Sequence, residues 1–114
     1  MATDTRLGHR ARRRCCEIVR ARHAPCALCG YEIDQALRRT GSPHPLSSVV
    51  DEWLPRSLGG DPHDPDQCVE MHRVCNAMKS DSWPVTDELR RRCRAEVERI
   101  MHERDHDLEV RRAW

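Results

Sequence analysis

Aromatic side chains are scarce in this chain of 114 residues, which has no Phe, one Tyr and three Trp. Bulky rings normally fill much of a protein core, and 34% of the residues here are charged. A domain of this length has a marginal core even when aromatic residues are plentiful. The composition therefore predicts a single small domain that needs a cross-link or a bound metal ion for stability.

Long apolar runs and a secretory leader are also missing. No stretch approaches the roughly 20 apolar residues that cross a bilayer, and the start of the chain lacks the residue order of a signal peptide. The seven cysteines are an odd number. We therefore expect a cytoplasmic protein with no membrane partner, whose reduced thiols bind metal rather than form disulfides.

Lysine occurs once, so 19 of the 20 basic residues are Arg. The net charge of +1 hides a segregation of charge. Residues 1–23 hold seven Arg and two acids, whereas residues 44–85 hold seven acids and three basic residues. Arg pairs with phosphate oxygens through two hydrogen bonds, although a GC-rich genome explains the Arg content equally well. The pattern suits a protein that binds phosphates with one part and cations with another.

Proline and glycine divide the chain into three parts. Residues 1–23 predict an amphipathic basic helix, and residues 86–114 predict a second amphipathic helix. Residues 24–85 contain all seven prolines and four of the five glycines, with short strands expected at 48–54 and 68–71. The inward-facing helix positions are Ala11, Cys15, Ile18, Val19 and Arg22, then Leu89, Cys93, Val97, Ile100, Met101 and Leu108.

Two pairs of candidate metal ligands share the same spacing. Cys26 and Cys29 precede Gly30, which lets the backbone turn so that both sulfurs converge on one ion. His72 and Cys75 repeat the two-residue gap, and positions three apart on a helical turn share a face. The four side chains predict a tetrahedral structural zinc site with three Cys ligands and one His ligand.

The remaining cysteines have other interpretations. Cys68 is a competing zinc ligand, which replaces His72 if the backbone bends differently. Cys15, Cys16 and Cys93 lie at apolar positions of the predicted helices, where free cysteine acts as a small buried hydrophobe. We assign these three to packing.

The order of residues from Cys26 to Lys79 resembles the HNH nucleases of the ββα-metal type, particularly the short phage-associated ones. This resemblance implies a small α+β fold, in which a hairpin and a short helix are clamped by zinc and flanked by the two predicted helices. The matching residues are Cys26-x-x-Cys29-Gly30, Val49-Val50-Asp51-Glu52-Trp53-Leu54-Pro55-Arg56-Ser57, Gly59-Gly60, Asp66-Gln67, His72-Arg73-x-Cys75-Asn76 and Lys79.

The resemblance also implies a metal-dependent DNA endonuclease. Asp51 and Asn76 would hold Mg²⁺ or another divalent cation through oxygen atoms, and hydrolysis would leave a 5′ phosphate. Glu52 stands where the family has the histidine that deprotonates the attacking water. A carboxylate, with a pKa of about 4.3, is a weaker base than imidazole at about 6.5. Glu52 is therefore the base or a second metal ligand, and His44 and His63 are alternative bases.

Two further positions have two interpretations each. Gln67 stands where the family has an asparagine that braces the hairpin, but Asp64-Pro65-x-Gln67 also matches a helix start. The resemblance favours a strand and a bracing role there. Lys79 follows Asn76 by one helical turn, so it either reaches the scissile phosphate or is an exposed side chain without a role.

The expected partner is DNA, mainly duplex, bound through phosphates with little base reading, in a bacterial or phage-infected cytoplasm. Double-strand cleavage would need two active sites, and hence a homodimer or a second cleavage event. The rival hypotheses are a zinc-knuckle DNA-binding module without catalysis, and a zinc-stabilised domain that binds a protein such as a phage packaging component. The side chains predicted to contact DNA are Arg10, Arg13, Arg14, Arg56, Arg73, Arg90 and Arg91.

Overall fold

The chain folds into a small α+β structure around a two-stranded antiparallel sheet. A computed structural model describes residues 5–40 and 43–113. Its main elements are α1 (Thr5–Ala21), β1 (Ser48–Glu52), β2 (Cys68–His72), α2 (Arg73–Lys79) and α3 (Asp87–Arg112). Short 3₁₀ turns lie at Gln35–Thr40, Arg56–Leu58 and Pro65–Gln67.

The two sides of the hairpin face different helices. On one side, Val50 and Cys68 pack with Cys15 and Val19 of α1. On the other side, the fully buried Met71 belongs to the larger core cluster, which also contains residues of α2 and α3. Because α2 begins directly after β2, the hairpin and the helix form one continuous unit.

β1 is shorter than predicted, because the chain bends at Trp53 and Leu54. The Trp53 amide still donates to the Gln67 carbonyl at 2.9 Å. Pro55 follows, and proline has no amide hydrogen with which to extend a strand. The predicted strand over 48–54 therefore ends at Glu52, whereas β2 runs one residue beyond its predicted end.

Gly60 lies in the turn after β1, where there is no room for a side chain. A Cβ at this position would lie 1.7 Å from the Leu54 carbonyl oxygen. We expect Gly60→Ala to lower the free energy of unfolding by roughly 1–3 kcal/mol, as overpacking does. Gly8→Ala is the control, because nothing lies within 4 Å of that Cβ and Ala favours a helix by about 0.5–1 kcal/mol. Thermal melts in which both variants shift the same way would contradict this steric account.

α3 begins at a capping residue and extends beyond the core. The Thr86 side chain accepts a hydrogen bond from the Leu89 amide at 3.1 Å, which satisfies one free donor of the first turn. Leu89, Cys93 and Val97 are buried, as predicted, but every residue from 101 to 113 is exposed. The prediction that Met101 and Leu108 face inward is therefore wrong, because the helix extends beyond the core against which its first turns pack.

α1 also departs from its predicted inner face at two positions. Cys15 and Val19 are buried, but Ile18 is 39% exposed, and Arg22, one residue beyond the end of the helix, is exposed. The hairpin is narrow, so it covers only a thin stripe of the helix. Residues 1–4 and Trp114, at the two ends of the predicted parts, lie outside the described residues.

Candidate functional site

A short loop between α1 and the hairpin holds the first two candidate metal ligands. The Cys26 amide donates to the Tyr31 carbonyl at 2.9 Å, and the Gly30 amide donates to the Cys26 carbonyl at 2.9 Å. Gly30 has φ +81, a left-handed conformation in which glycine carries no steric cost. The turn folds the loop back on itself, so Cys26 and Cys29 face the same interior space.

The junction of β2 and α2 supplies the other two ligands. His72 is the last residue of β2, with φ −65 and ψ 145, and Cys75 lies in the first turn of α2. The predicted placement of both residues on one helical turn is therefore wrong for His72. The strand end and the helix start nevertheless direct both side chains inward, and both are buried.

The four side chains form a cluster that can hold a zinc-like metal ion. Their ligand atoms all lie within 4.8 Å of one another. A tetrahedral zinc with Zn–S bonds of about 2.3 Å separates its sulfurs by roughly 3.8 Å, which lies inside that limit. The predicted ligand set of Cys26, Cys29, His72 and Cys75 is confirmed as a spatial cluster.

The hydrogen bond on the far side of the His72 ring prepares it for a metal. Nε2 lies 3.1 Å from the Glu32 carbonyl oxygen, which can only accept, so Nε2 carries the hydrogen. Nδ1 then presents its lone pair to the cluster, 3.3 Å from the Cys29 sulfur. A carbonyl that fixes the tautomer of the ring in this way is typical of metal-binding histidines.

In the metal-free cluster, Cys26 has the charge state that metal binding needs, whereas His72 does not. Hydrogen bonds from Cys29, Cys75 and His72 hold the pKa of Cys26 well below that of an ordinary thiol, against the effect of burial. Burial alone would lower the pKa of His72, but hydrogen bonds to Cys26 and Cys29 raise it to about 10. The metal-free cluster therefore holds protons that a bound metal would displace.

Three of the other cysteines, Cys15, Cys16 and Cys68, lie in the separate core cluster against α1, whereas Cys93 is buried in the same core as Cys26, Cys29 and Cys75. Cys68 packs beside Cys15 against α1, and its Sγ lies 3.6 Å from the Asp61 carbonyl oxygen. Burial and the neighbouring Cys15 raise the pKa of Cys68 to about 12, so its thiol is protonated. The alternative assignment of Cys68 as a ligand is therefore wrong. Cys15 and Cys93 are buried and Cys16 is half-buried, consistent with packing.

A second polar cluster forms where β1 meets α2. Asp51 Oδ1 accepts the Glu52 amide at 2.9 Å. Burial raises the pKa of Asp51, but hydrogen bonds from Glu52 and from the Asn76 side chain outweigh it and hold the pKa below its ordinary value. The three predicted catalytic residues, two from the strand and one from the helix, are therefore close enough for Glu52 and Asn76 to shift the pKa of Asp51.

The Glu52 side chain is largely enclosed, with 10% of its surface exposed. Burial, and then hydrogen bonding to Asp51, raises its pKa. One oxygen, Oε1, accepts from Arg56 Nε at 2.9 Å, whereas the buried Oε2 has no hydrogen-bond partner among the described residues. The adjacent carboxyls of Asp51 and Glu52 thus have pKa values shifted in opposite directions, and the buried Oε2 of Glu52 has no partner to satisfy it among the described residues.

Gln67 ends a 3₁₀ turn rather than lying in a strand. Asp64 caps this turn by accepting the Asp66 amide at 2.9 Å, with Pro65 in the first position. The Gln67 side chain accepts the Asp61 amide and donates to Asp64, both at 3.1 Å. The prediction of a strand at this position is wrong, because the Asp64 cap fixes the backbone of residues 65–67 in a 3₁₀ turn. Gln67 links the loop after Gly60 to the start of β2.

Lys79 is buried, with 2% of its surface exposed. Its Nζ lies 5.6 Å from the centre of the Trp53 ring, within cation–π range. The interpretation of Lys79 as an exposed side chain is therefore wrong, and its reach to a phosphate stays a prediction. Of the two alternative bases, His44 accepts the Leu46 amide through Nδ1 at 3.0 Å, and His63 is exposed.

The arginines predicted to contact DNA are all exposed. Arg56 is engaged with Glu52, and Arg90 donates to the Ala27 carbonyl at 2.8 Å. Among the described residues, the guanidinium groups of the other five have no hydrogen-bond or ion-pair partner. These are Arg10, Arg13, Arg14, Arg73 and Arg91.

Sequence reasoning missed Arg12, which docks α1 onto the hairpin. Its guanidinium donates to the Pro62 carbonyl at 2.6 Å and to the Val50 carbonyl. A signal was present, because Arg12, Cys15 and Val19 recur at helical spacing on one face. The run of arginines around it made Arg12 look like one more exposed cation.

A buried carboxylate was also missed. Glu70 is 2% exposed, and its Oε2 accepts from Gln35 and from Ser48, both at 2.6 Å. Arg20 of α1 donates to the Ser48 hydroxyl at 2.9 Å. This network joins α1, the 3₁₀ turn at Gln35–Thr40 and the hairpin. Residue types alone gave no reason to expect it.

None of the helices in the described part of the chain is both long enough and apolar enough to cross a membrane. No family model, no curated protein and no solved structure matches this chain.

Proposed function

We propose that this chain is a metal-dependent DNA endonuclease of the HNH type, which hydrolyses phosphodiester bonds with little sequence preference. The observation that carries the proposal is the junction of β1 and α2. There Asp51 Oδ1 accepts the Glu52 amide, and the neighbouring Asn76 side chain lowers the pKa of Asp51. The hairpin, the helix that follows and the Cys/His cluster also have the order that the resemblance implies. Single-site nicking needs one copy, and double-strand cleavage needs a homodimer or a second cleavage event.

The donor atoms at this junction suit a hard divalent cation. Asp51 and Asn76 offer oxygens, the ligands that Mg²⁺ prefers. A cation bound there supplies charge stabilisation at a phosphate. Negative charge on Asp51, which its lowered pKa favours, is the state that such binding requires.

Glu52 has the chemistry of a general base in this proposal. The pKa of its carboxyl group is raised toward neutral pH, and a base with a pKa near the working pH takes up a proton from water more effectively. Arg56 holds one of its oxygens, so the buried second oxygen, which has no partner among the described residues, is the one assigned to take up the proton. The exposed arginines of α1 and α3 supply phosphate contacts that position DNA without reading bases.

The test is an incubation of supercoiled plasmid with zinc-loaded protein and Mg²⁺, Mn²⁺ or Ni²⁺. We expect nicking that EDTA stops and that Asn76→Ala reduces at least about 100-fold, while that variant keeps one zinc per chain. Equal nicking by both proteins would indicate a contaminating nuclease and contradict the proposal. DNA retardation without nicking under any cation would instead favour a binding module.

A further inference from the structure

Two grooves lie side by side outside the Asp51–Asn76 junction. The first, of about 310 Å³, runs between the Cys26–Gly30 loop and α3 and is lined by Arg90, Arg91 and Arg94. The second, of about 390 Å³, has apolar walls. Ala27 lines both grooves. The second groove is also lined by Trp53, Leu54, Val69, Asp66 and Gln67.

Arg90 joins the two grooves. Its guanidinium donates to the Ala27 carbonyl at 2.8 Å and lies 5.7 Å from the centre of the Trp53 ring. Arg94 is fixed in a similar way, 5.1 Å above the Tyr31 ring. Both cations are therefore held in place, so less side-chain freedom is lost when they bind a ligand.

The charge of the first groove selects an anion. Three guanidinium groups line it, and one acid, Glu98, pairs with Arg94 at 3.5 Å. A planar guanidinium matches the oxygens of a phosphate. Trp53 lines the second groove, with Lys79 and Arg90 over its ring at 5.6 and 5.7 Å and Trp83 edge-on at 6.4 Å, so a flat ligand meets only the part of the indole that faces the groove. The volume of the groove is within the range of about 300–1,000 Å³ that is typical of small-molecule pockets.

We propose that the joined grooves bind an unpaired stretch of DNA, with backbone phosphates on Arg90, Arg91 and Arg94 and one base against the Trp53 indole. This proposal takes its partner class, DNA, from the proposed function. Stacking of a base on an aromatic ring tolerates every sequence, because every base has a flat face. A fully paired duplex can reach the arginines but cannot place a base on the indole. The preferred substrate is then DNA that contains a frayed, gapped or looped segment.

The test uses protein in which Trp53 is the sole tryptophan, made by Trp83→Phe and Trp114→Phe, zinc-loaded and without added Mg²⁺. The ligands are a thymidine oligonucleotide, an abasic oligonucleotide of equal length and charge, and a duplex. We expect the thymidine strand to quench Trp53 fluorescence and to bind on the order of tenfold more tightly than the abasic strand. Equal affinity for the two strands, or unchanged fluorescence, would overturn the proposal.

A matched pair of surface variants tests the arginine groove. Arg90→Ala should weaken binding and reduce the salt dependence of affinity by about one phosphate contact. Arg99→Ala, on the same helix but paired with Glu96 and Glu103, should leave affinity unchanged. Equal effects of the two substitutions would argue against the groove. The nuclease proposal is tested separately by nicking. Base-dependent binding without nicking would support the proposed DNA-binding groove and contradict the nuclease proposal.

Discussion

Replacing Cys29 with serine is expected to release the zinc and abolish the cooperative thermal transition, or to lower its midpoint by tens of degrees. Structural zinc contributes an apparent binding free energy of about 10–16 kcal/mol in small domains, and a whole domain is stabilised by only about 5–15 kcal/mol. Metal analysis and a melting curve followed by circular dichroism measure both effects. EDTA should reproduce the effect in the unmodified protein.

The size of this effect follows from how the core is built. Three of the four ligands, Cys26, Cys29 and Cys75, belong to the main cluster of buried residues. Few bulky side chains are available to replace a lost metal in a chain without Phe. Cys16→Ser is the control, because Cys16 is half-buried and lies outside the cluster. If Cys29→Ser kept one zinc per chain and an unchanged melting curve, the zinc assignment would be refuted.

The second large effect is expected from Glu52→Gln, which should reduce nicking about 100- to 10,000-fold, the range for loss of a general base. Glutamine keeps the shape of the side chain but cannot take up a proton. Zinc content and the melting curve should change little, because the salt bridge lost with Arg56 is partly exposed and worth about 1 kcal/mol or less. Full activity in the variant would show that Glu52 is not the general base, and His44 and His63 would be the alternatives.

The pH dependence of nicking gives an independent check on Glu52. A base acts when deprotonated, so the rate should fall as pH falls through its pKa. Because burial raises the pKa of Glu52, the fall should begin at a higher pH than for an ordinary carboxyl group of about 4.3. If Glu52 is instead a second metal ligand, the glutamine variant should recover activity at higher Mg²⁺ concentration.

How far the sequence predicts this molecule depends on the kind of signal each residue gives. The spacing of Cys26, Cys29, His72 and Cys75 was sufficient to predict the cluster. Two pairs of ligands with the same two-residue gap are typical of a zinc site, and a chain with few aromatic residues needs such a site for stability. The hairpin was predictable from strand composition, with its ends wrong by one or two residues. His72 was misplaced on a helix because the spacing of ligands does not distinguish a strand end from a helical turn.

Burial was the least predictable property. Lys79 is buried and Met101 is exposed, the reverse of what their residue types favour. Whether a neighbouring element covers a side chain is decided by tertiary packing, which single-residue chemistry does not encode. The same holds for Arg12 and Arg20, which bond to the hairpin although they look like their exposed neighbours. For Lys79, Arg12 and Arg20, the deciding contact comes from a residue more than 25 positions away.

In the proposed function, a Cys/His metal cluster holds the hairpin and the helix so that Asp51, Glu52 and Asn76 can cleave DNA. The most direct measurement is the initial rate of plasmid nicking at fixed Mg²⁺, as zinc is titrated back into metal-free protein. We predict a rate that rises in proportion to zinc occupancy and levels off at one zinc per chain. Full-rate nicking by zinc-free protein, or no nicking by the fully loaded protein, would contradict the account.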